Sequence, residues 1–153
     1  MHRARIAWTA GGATRADVAA GRYGRAHDWT FDGGATVRAA AAPSAVPAPW
    51  SDPAAVDPEE AFVAAVASCH MLWFLDLARR DGYAAARYVD DAAGEMRARP
   101  DGTRWIARVV LRPAVAWQGP APGRDAQRRL HDAAHRHCFI ANSARSEIVT
   151  EIP

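Results

Sequence analysis

Lysine is absent from this chain: all 19 Lys/Arg positions are arginine. Any cation that stabilises an anion in this protein is therefore an arginine or a protonated histidine. Cysteine is nearly absent too, with two residues, Cys69 and Cys138, in 153. A disulfide-dense secreted scaffold is excluded, and in a reducing compartment two cysteines point to catalysis or metal binding more than to a permanent staple. Excess charge is missing as well. The net charge of +2 is too small to make a nucleic acid the leading partner. The amino-terminal stretch MHRARIAWTAGGATRADV has no apolar signal-peptide core. The apolar run at 61–75, bounded by acids and arginines, is too short to span a bilayer and reads as a buried core helix. These features predict a soluble cytoplasmic protein without a membrane partner. No internal repeat is visible, and the length suits one domain, 1–153, with its own core.

What is present reads as an α+β chain. Residues 5–42 give strands and turns, with a hairpin in DWTFDGGATVRAAA that turns at Asp32-Gly33-Gly34. Five prolines between 43 and 58 make a rigid loop, and Trp50 within it needs a place to bury. A helix start follows. Asp57 suits the N-cap, Pro58 position N1, and Glu60 position N3 of a capping box. Gly82 stops the helix after Arg79 and Arg80. From Ala61 to Leu75 the helix is apolar on almost every face, so a second subunit is expected to cover one side. Beyond it, 86–102 predicts one or two strands, and 103–119 predicts a single long strand that alternates Trp105, Ala107, Val109 and Leu111 with Arg104, Arg108, Val110 and Arg112. An amphipathic helix is predicted over 124–137, and a closing strand over 146–153.

The chemistry centres on the two thiols. A cysteine reacts as its thiolate, and burial in an apolar helix opposes ionisation, so a reactive Cys69 requires a cation from another element. Cys138 opens a short turn whose amides would lower its pKa, so electrostatics alone leaves the nucleophile open between the two. Glu59 and Glu60 are the nearby carboxylates, with Glu60 read as the cap. Glu59 and Cys69 stand ten residues apart on one helix, about 15 Å along its axis. They cannot share a site within one subunit, so an acid acting with Cys69 would come from a partner chain. His131 and His135, at i, i+4 and near His137 and Cys138, form a weak zinc-like cluster without a metalloprotease signature.

The segment DPEEAFVAAVASCHM resembles the central-helix signature of the OsmC/Ohr family, the osmotically induced and organic-hydroperoxide-resistance proteins. AHRHCFIANSARSEI resembles the second motif of that family, and RYGRAHDWTFDGG fits an OsmC-like subgroup. The resemblance covers nearly the whole chain. It implies an intertwined homodimer with long central helices wrapped by antiparallel strands. It implies a thiol-dependent peroxidase that reduces hydroperoxides with Cys69 as peroxidatic and Cys138 as resolving residue, needs no cofactor or metal, and is recycled by a dithiol of lipoyl type. Glu59 would match the acid that orients an activating arginine. That arginine is Arg25 by the Tyr23-to-Trp29 pattern or Arg22 by the Gly-Arg-x-Gly-Arg pattern, with Arg15 a distant third. Arg25, His27 and Trp29 would alternate on one strand. Two departures stand out: Cys138 is followed by Phe139 where well-studied branches have proline, and His70 follows Cys69 directly. The alternative is a dimeric redox-sensing or apolar-ligand-binding protein of the same fold with little turnover.

Overall fold

The computed structural model describes residues 1–152, which cluster into two compact units, one of Met1–Ala61 and one from Phe62 onward. The first unit carries a three-stranded antiparallel sheet of order β1-β2-β3: β1 (Ala4–Ala7), β2 (His27–Phe31) and β3 (Thr36–Ala39). The β2–β3 hairpin turns where expected. The Gly34 amide donates to the Phe31 carbonyl at 2.9 Å with φ at +86°, a left-handed conformation natural to glycine. A short helix, α1 (Arg15–Ala19), fills the segment that sequence reading treated as turns. Its start is a reciprocal capping box. The Thr14 hydroxyl accepts from the Asp17 amide, and the Asp17 carboxylate accepts from the Thr14 amide.

Helix α2 (Pro58–Arg80) begins and ends as the sequence dictates. The Glu60 amide donates to Asp57 Oδ1 at 2.7 Å, and the Asp57 amide donates to Glu60 Oε2 at 3.1 Å. Glu60 is thus a capping residue. Glu60→Ala is expected to cost about 1 kcal/mol in chemical denaturation, since it frees one orphan helix donor. Gly82, at φ +83°, closes the other end.

In the second unit, β4 (Ala84–Asp90) pairs antiparallel with β7 (Pro113–Gln118). A separate sheet runs β5-β6-β8, with β5 (Ala93–Ala98) antiparallel and β8 (Glu147–Thr150) parallel to β6 (Arg104–Leu111). The long strand expected over 103–119 is therefore two strands in two sheets. The break falls at Arg112, whose amide leaves the ladder to donate to Asp90 Oδ1 at 2.6 Å, and Pro113, which has no amide to donate. Strict alternation fails as well, because Val109, Val110 and Leu111 are all buried.

Two apolar clusters hold this unit together. Val66 of α2 packs with Val109 and Leu111 of β6. Phe74 and Ala78 of α2 pack with Leu130 and Ala134 of α3 (Arg124–His137), and Tyr88, Val115 and Trp117 close around them. Gly94 on β5 lets that strand approach α2: a Cβ there would meet the Val63 Cγ2 methyl at 2.8 Å. Within this chain α2 is buried along one side only. Its fully buried residues are Val66, His70, Phe74 and Ala78, one stripe at helical spacing. Leu72, on the other side, is 61% exposed. By length and composition alone the helix could cross a bilayer, but its buried stripe carries a histidine and packs on protein.

Candidate functional site

The second unit brings the two cysteines together. Cys69 sits mid-α2 and is half-buried, and Cys138 is buried at the junction of α3 with α4 (Phe139–Ser143); both are free thiols. Cys138 ends one helix and caps the next: its amide donates to the Ala134 carbonyl at 2.9 Å, and its Sγ accepts from the Ala141 amide at 3.4 Å. Burial first, and a hydrogen bond with the neighbouring Cys69 thiol second, push the Cys138 thiol up to about 11. The turn amides act in the expected direction, since the Ala141 bond lowers the pKa, but desolvation outweighs them. The reading of Cys138 as acidified by its turn is therefore corrected: at neutral pH it is a protonated thiol.

Cys69 opens on a cavity of about 520 Å³. Leu72, Trp73, Phe139 and Ile140 supply its apolar wall, and Ser68 and Asp76 are its polar members. Trp73 is fixed between two rings, stacked on His137 with centroids 5.0 Å apart and edge-on to Phe139 at 5.6 Å. Phe139 is 70% exposed. No arginine is among the described residues lining this cavity.

The candidate arginines lie in the first unit. Arg25 is half-buried and comes two residues before β2, so it is not the strand residue that alternation implied. Its guanidinium lies over the Tyr23 ring, 3.7 Å from the centroid, and Nη1 donates to the carbonyls of Gly21, at 2.8 Å, and Tyr23. It shares a cavity of about 420 Å³ with Trp8, Tyr23, His27 and Pro58. His27 and Trp29 do share a face: Trp29 Nε1–H donates to His27 Nε2 at 2.8 Å, which leaves His27 Nδ1–H to donate to the Arg25 carbonyl at 2.8 Å. Arg22 is exposed and tied to Asp17 at 2.9 Å, and Arg15 is exposed on α1. Glu59 is half-buried in the first turn of α2.

One pair escaped sequence reading. His70 and His131 are 1% and 2% exposed, stacked at 7° between ring planes, with His70 Nε2 and His131 Nδ1 3.0 Å apart. Phe74 stacks on the other partner, its ring centroid 4.2 Å from that of His131. Burial depresses both rings to about 4, with the neighbouring His131 and His135 charges adding to the effect on His70. The signal was there: His131 falls on the Leu130–Ala134 side of its helix, and His70 lies within an apolar run. His131 therefore stacks on the buried His70 and forms no metal-holding group with His135 and Cys138. Among the described residues no group of three or more His, Cys, Asp or Glu is placed to hold a metal.

An α+β unit that sets a half-buried thiol against a buried one, on an apolar cavity, defines a two-cysteine protein. The OsmC-like protein family pattern matches residues 51–152. The chain belongs to that family. It is similar over 100% of its length, at 43% identity and a TM-score of 0.94, to 99% of an OsmC-like protein of unknown function from Vibrio cholerae. Two more distant structures share the fold. One is an organic hydroperoxide resistance protein of Legionella pneumophila, at 16% identity and TM-score 0.69 over 99% of this chain and 94% of that one. The other is the organic hydroperoxide resistance protein OhrB of Bacillus subtilis, at 18% identity and 0.68 over 100% and 98%. No curated protein matches the sequence.

Proposed function

We propose that this chain is a thiol-dependent peroxidase that reduces organic hydroperoxides through Cys69 and Cys138. The juxtaposition of the two thiols, with Cys69 on an apolar cavity, carries the reading. The Cys69 thiolate attacks the outer peroxide oxygen. The O–O bond breaks, Cys69 becomes a sulfenic acid, and the alkoxide leaves as the alcohol after taking a proton. The Cys138 thiol then attacks the sulfenic sulfur, water leaves, and a Cys69–Cys138 disulfide forms. A dithiol, of lipoyl type by resemblance, reduces it by exchange and becomes a disulfide itself. Such a cycle suits the cytoplasm, where small thiols keep the resting enzyme reduced.

The thiolate needs a cation, and we assign it to an arginine of the amino-terminal unit supplied within a homodimer. The exposed apolar side of α2 around Leu72 supports a second copy packing there. Of the two candidates, Arg25 fits better: it is half-buried and has no carboxylate partner among the described residues, whereas Arg22 is committed to Asp17. Glu59 is the acid left to orient it, since Glu60 is occupied as a cap. Arg25→Ala is expected to lower the rate of peroxide reduction by ~100-fold or more at neutral pH. Arg22→Ala is expected to leave the rate within about twofold, as for an exposed pair. Glu59→Ala should slow the reaction and leave the dimer intact in sedimentation.

The direct test mixes reduced protein with one equivalent of cumene hydroperoxide. One equivalent of alcohol and loss of both thiols are expected, with multiple turnovers on adding dihydrolipoamide. Thiols that survive several hydroperoxides would overturn the proposal. A disulfide that forms but that no dithiol recycles would favour the redox-sensing reading instead.

A further inference from the structure

A second cavity, of about 470 Å³, lies between α3 and β8. Arg128, His131, Asp132, His135 and Arg136 line it from α3, and Thr150 from β8. The helical period puts these five α3 residues on one side of the helix. Among the described residues neither guanidinium has a salt-bridge partner, although Asp132 stands four residues from each. Exposed arginines alone would say little, since solvated guanidiniums are ordinary. His131 makes the difference. It is 2% exposed yet belongs to the cavity wall, and its Nε2 has no partner among the described residues.

The buried pair decides what that nitrogen presents. Each ring is neutral and carries one proton, and one proton bridges the two rings. If His131 gave the bridging proton, His70 Nδ1 would keep an N–H sealed in the interior with no acceptor. If His70 gives it, His70 Nδ1 is only a bare lone pair, and the His131 proton sits on Nε2. A buried donor without an acceptor is the costlier orphan. The favoured tautomer therefore aims an N–H donor into a cavity edged by two unpaired guanidiniums. The charged groups around it are Arg128, Asp132 and Arg136 on α3, a net positive set, beside the imidazole of His135. β8 contributes only Ile148 and Thr150, and α2 only the neutral His70.

We propose that this cavity binds a small oxyanion, a carboxylate or phosphate group, held by the Arg128 and Arg136 guanidiniums and the Nε2–H of His131. The proposal does not depend on the thiol chemistry. Bound anion would also fix the tautomer of the pair that ties α3 to α2.

Histidine ¹⁵N–¹H correlation spectra of the intact protein test this, with inorganic phosphate and acetate titrated separately at ionic strength held constant with sodium chloride. A saturable shift at His131 Nε2 is expected with at least one probe. Phosphate alone would assign a phosphate group, acetate alone a carboxylate, and both a general oxyanion site. Arg128→Gln/Arg136→Gln, on an exposed face where folding is retained, should weaken binding about tenfold or more, as loss of two charge-assisted donors requires. A drift without saturation, the same response to sodium chloride, or unchanged affinity in the double variant would overturn the proposal.

Discussion

Cys69→Ser is expected to bring hydroperoxide consumption down to the buffer background, whereas Cys138→Ser is expected to keep one rapid turnover and then stop. Serine is close to cysteine in shape, so the helix and its cavity survive the first change. What disappears is the sulfur that, as its thiolate, attacks an O–O bond. The second change removes only the resolving step. One equivalent of alcohol should appear per chain, and Cys69 should persist as a sulfenic acid that dimedone captures. The asymmetry rests on environment. Cys138 is buried and pushed up to about 11, so in the proposed cycle it would enter as a thiol and attack only after oxidation had made Cys69 electrophilic. If Cys138→Ser abolished the first turnover and Cys69→Ser preserved it, the two roles would have to be exchanged.

The second large effect is on stability in mild acid. His70 and His131 are depressed from 6.5 to about 4 in the folded protein, chiefly by burial. The unfolded chain therefore binds more protons than the folded one below the ordinary histidine value. The stabilisation is complete above that value and drains away as pH falls toward the folded one. One ring accounts for about 2 kcal/mol between neutrality and pH ~5, and the second adds to it. Urea melts at fixed protein concentration would measure the loss. His70→Leu/His131→Leu should flatten this dependence, because replacing both partners by apolar groups leaves nothing buried to protonate. His131→Leu alone should cost roughly 1–3 kcal/mol even at neutral pH, since it strands His70 without a partner. Depressed carboxylates such as Asp76 and Asp101 act in a lower window, below their ordinary 3.8. Burial raises Asp90 instead, an opposite contribution common to wild type and double variant that the comparison subtracts. An acid dependence unchanged in the double variant would contradict the assignment to this pair.

Much of the frame was legible because it is local. Asp57, Pro58, Glu60 and Gly82 marked the bounds of α2 through capping chemistry that acts within one turn. The same grammar in Thr14-Arg15-Ala16-Asp17 starts α1, but the glycine-rich turns on either side mask it. The division of β6 from β7 was harder, since alternation runs on through Arg112 and the corner depends on a carboxylate far back in the chain, Asp90. At the site, sequence pattern singled out both cysteines, but their meeting depends on how α3 packs against α2. That packing also joins His70 to His131: read along the chain, His131 pairs with His135 on a helix surface, and only the register between two helices turns it inward. The preference for Arg25 over Arg22 came from pattern; the Asp17 partner that occupies Arg22 is a contact no spacing rule revealed.

The central claim is that Cys69 and Cys138 form one redox couple within a chain. Peptide mapping of reduced protein exposed to one equivalent of an organic hydroperoxide tests it directly. The account expects a mass loss of about 2 Da, for two hydrogens, confined to a single linked peptide pair that contains Cys69 and Cys138 of the same chain. Cys69 carried on to sulfinic acid beside an unmodified Cys138, or disulfides found only between separate chains, would contradict it.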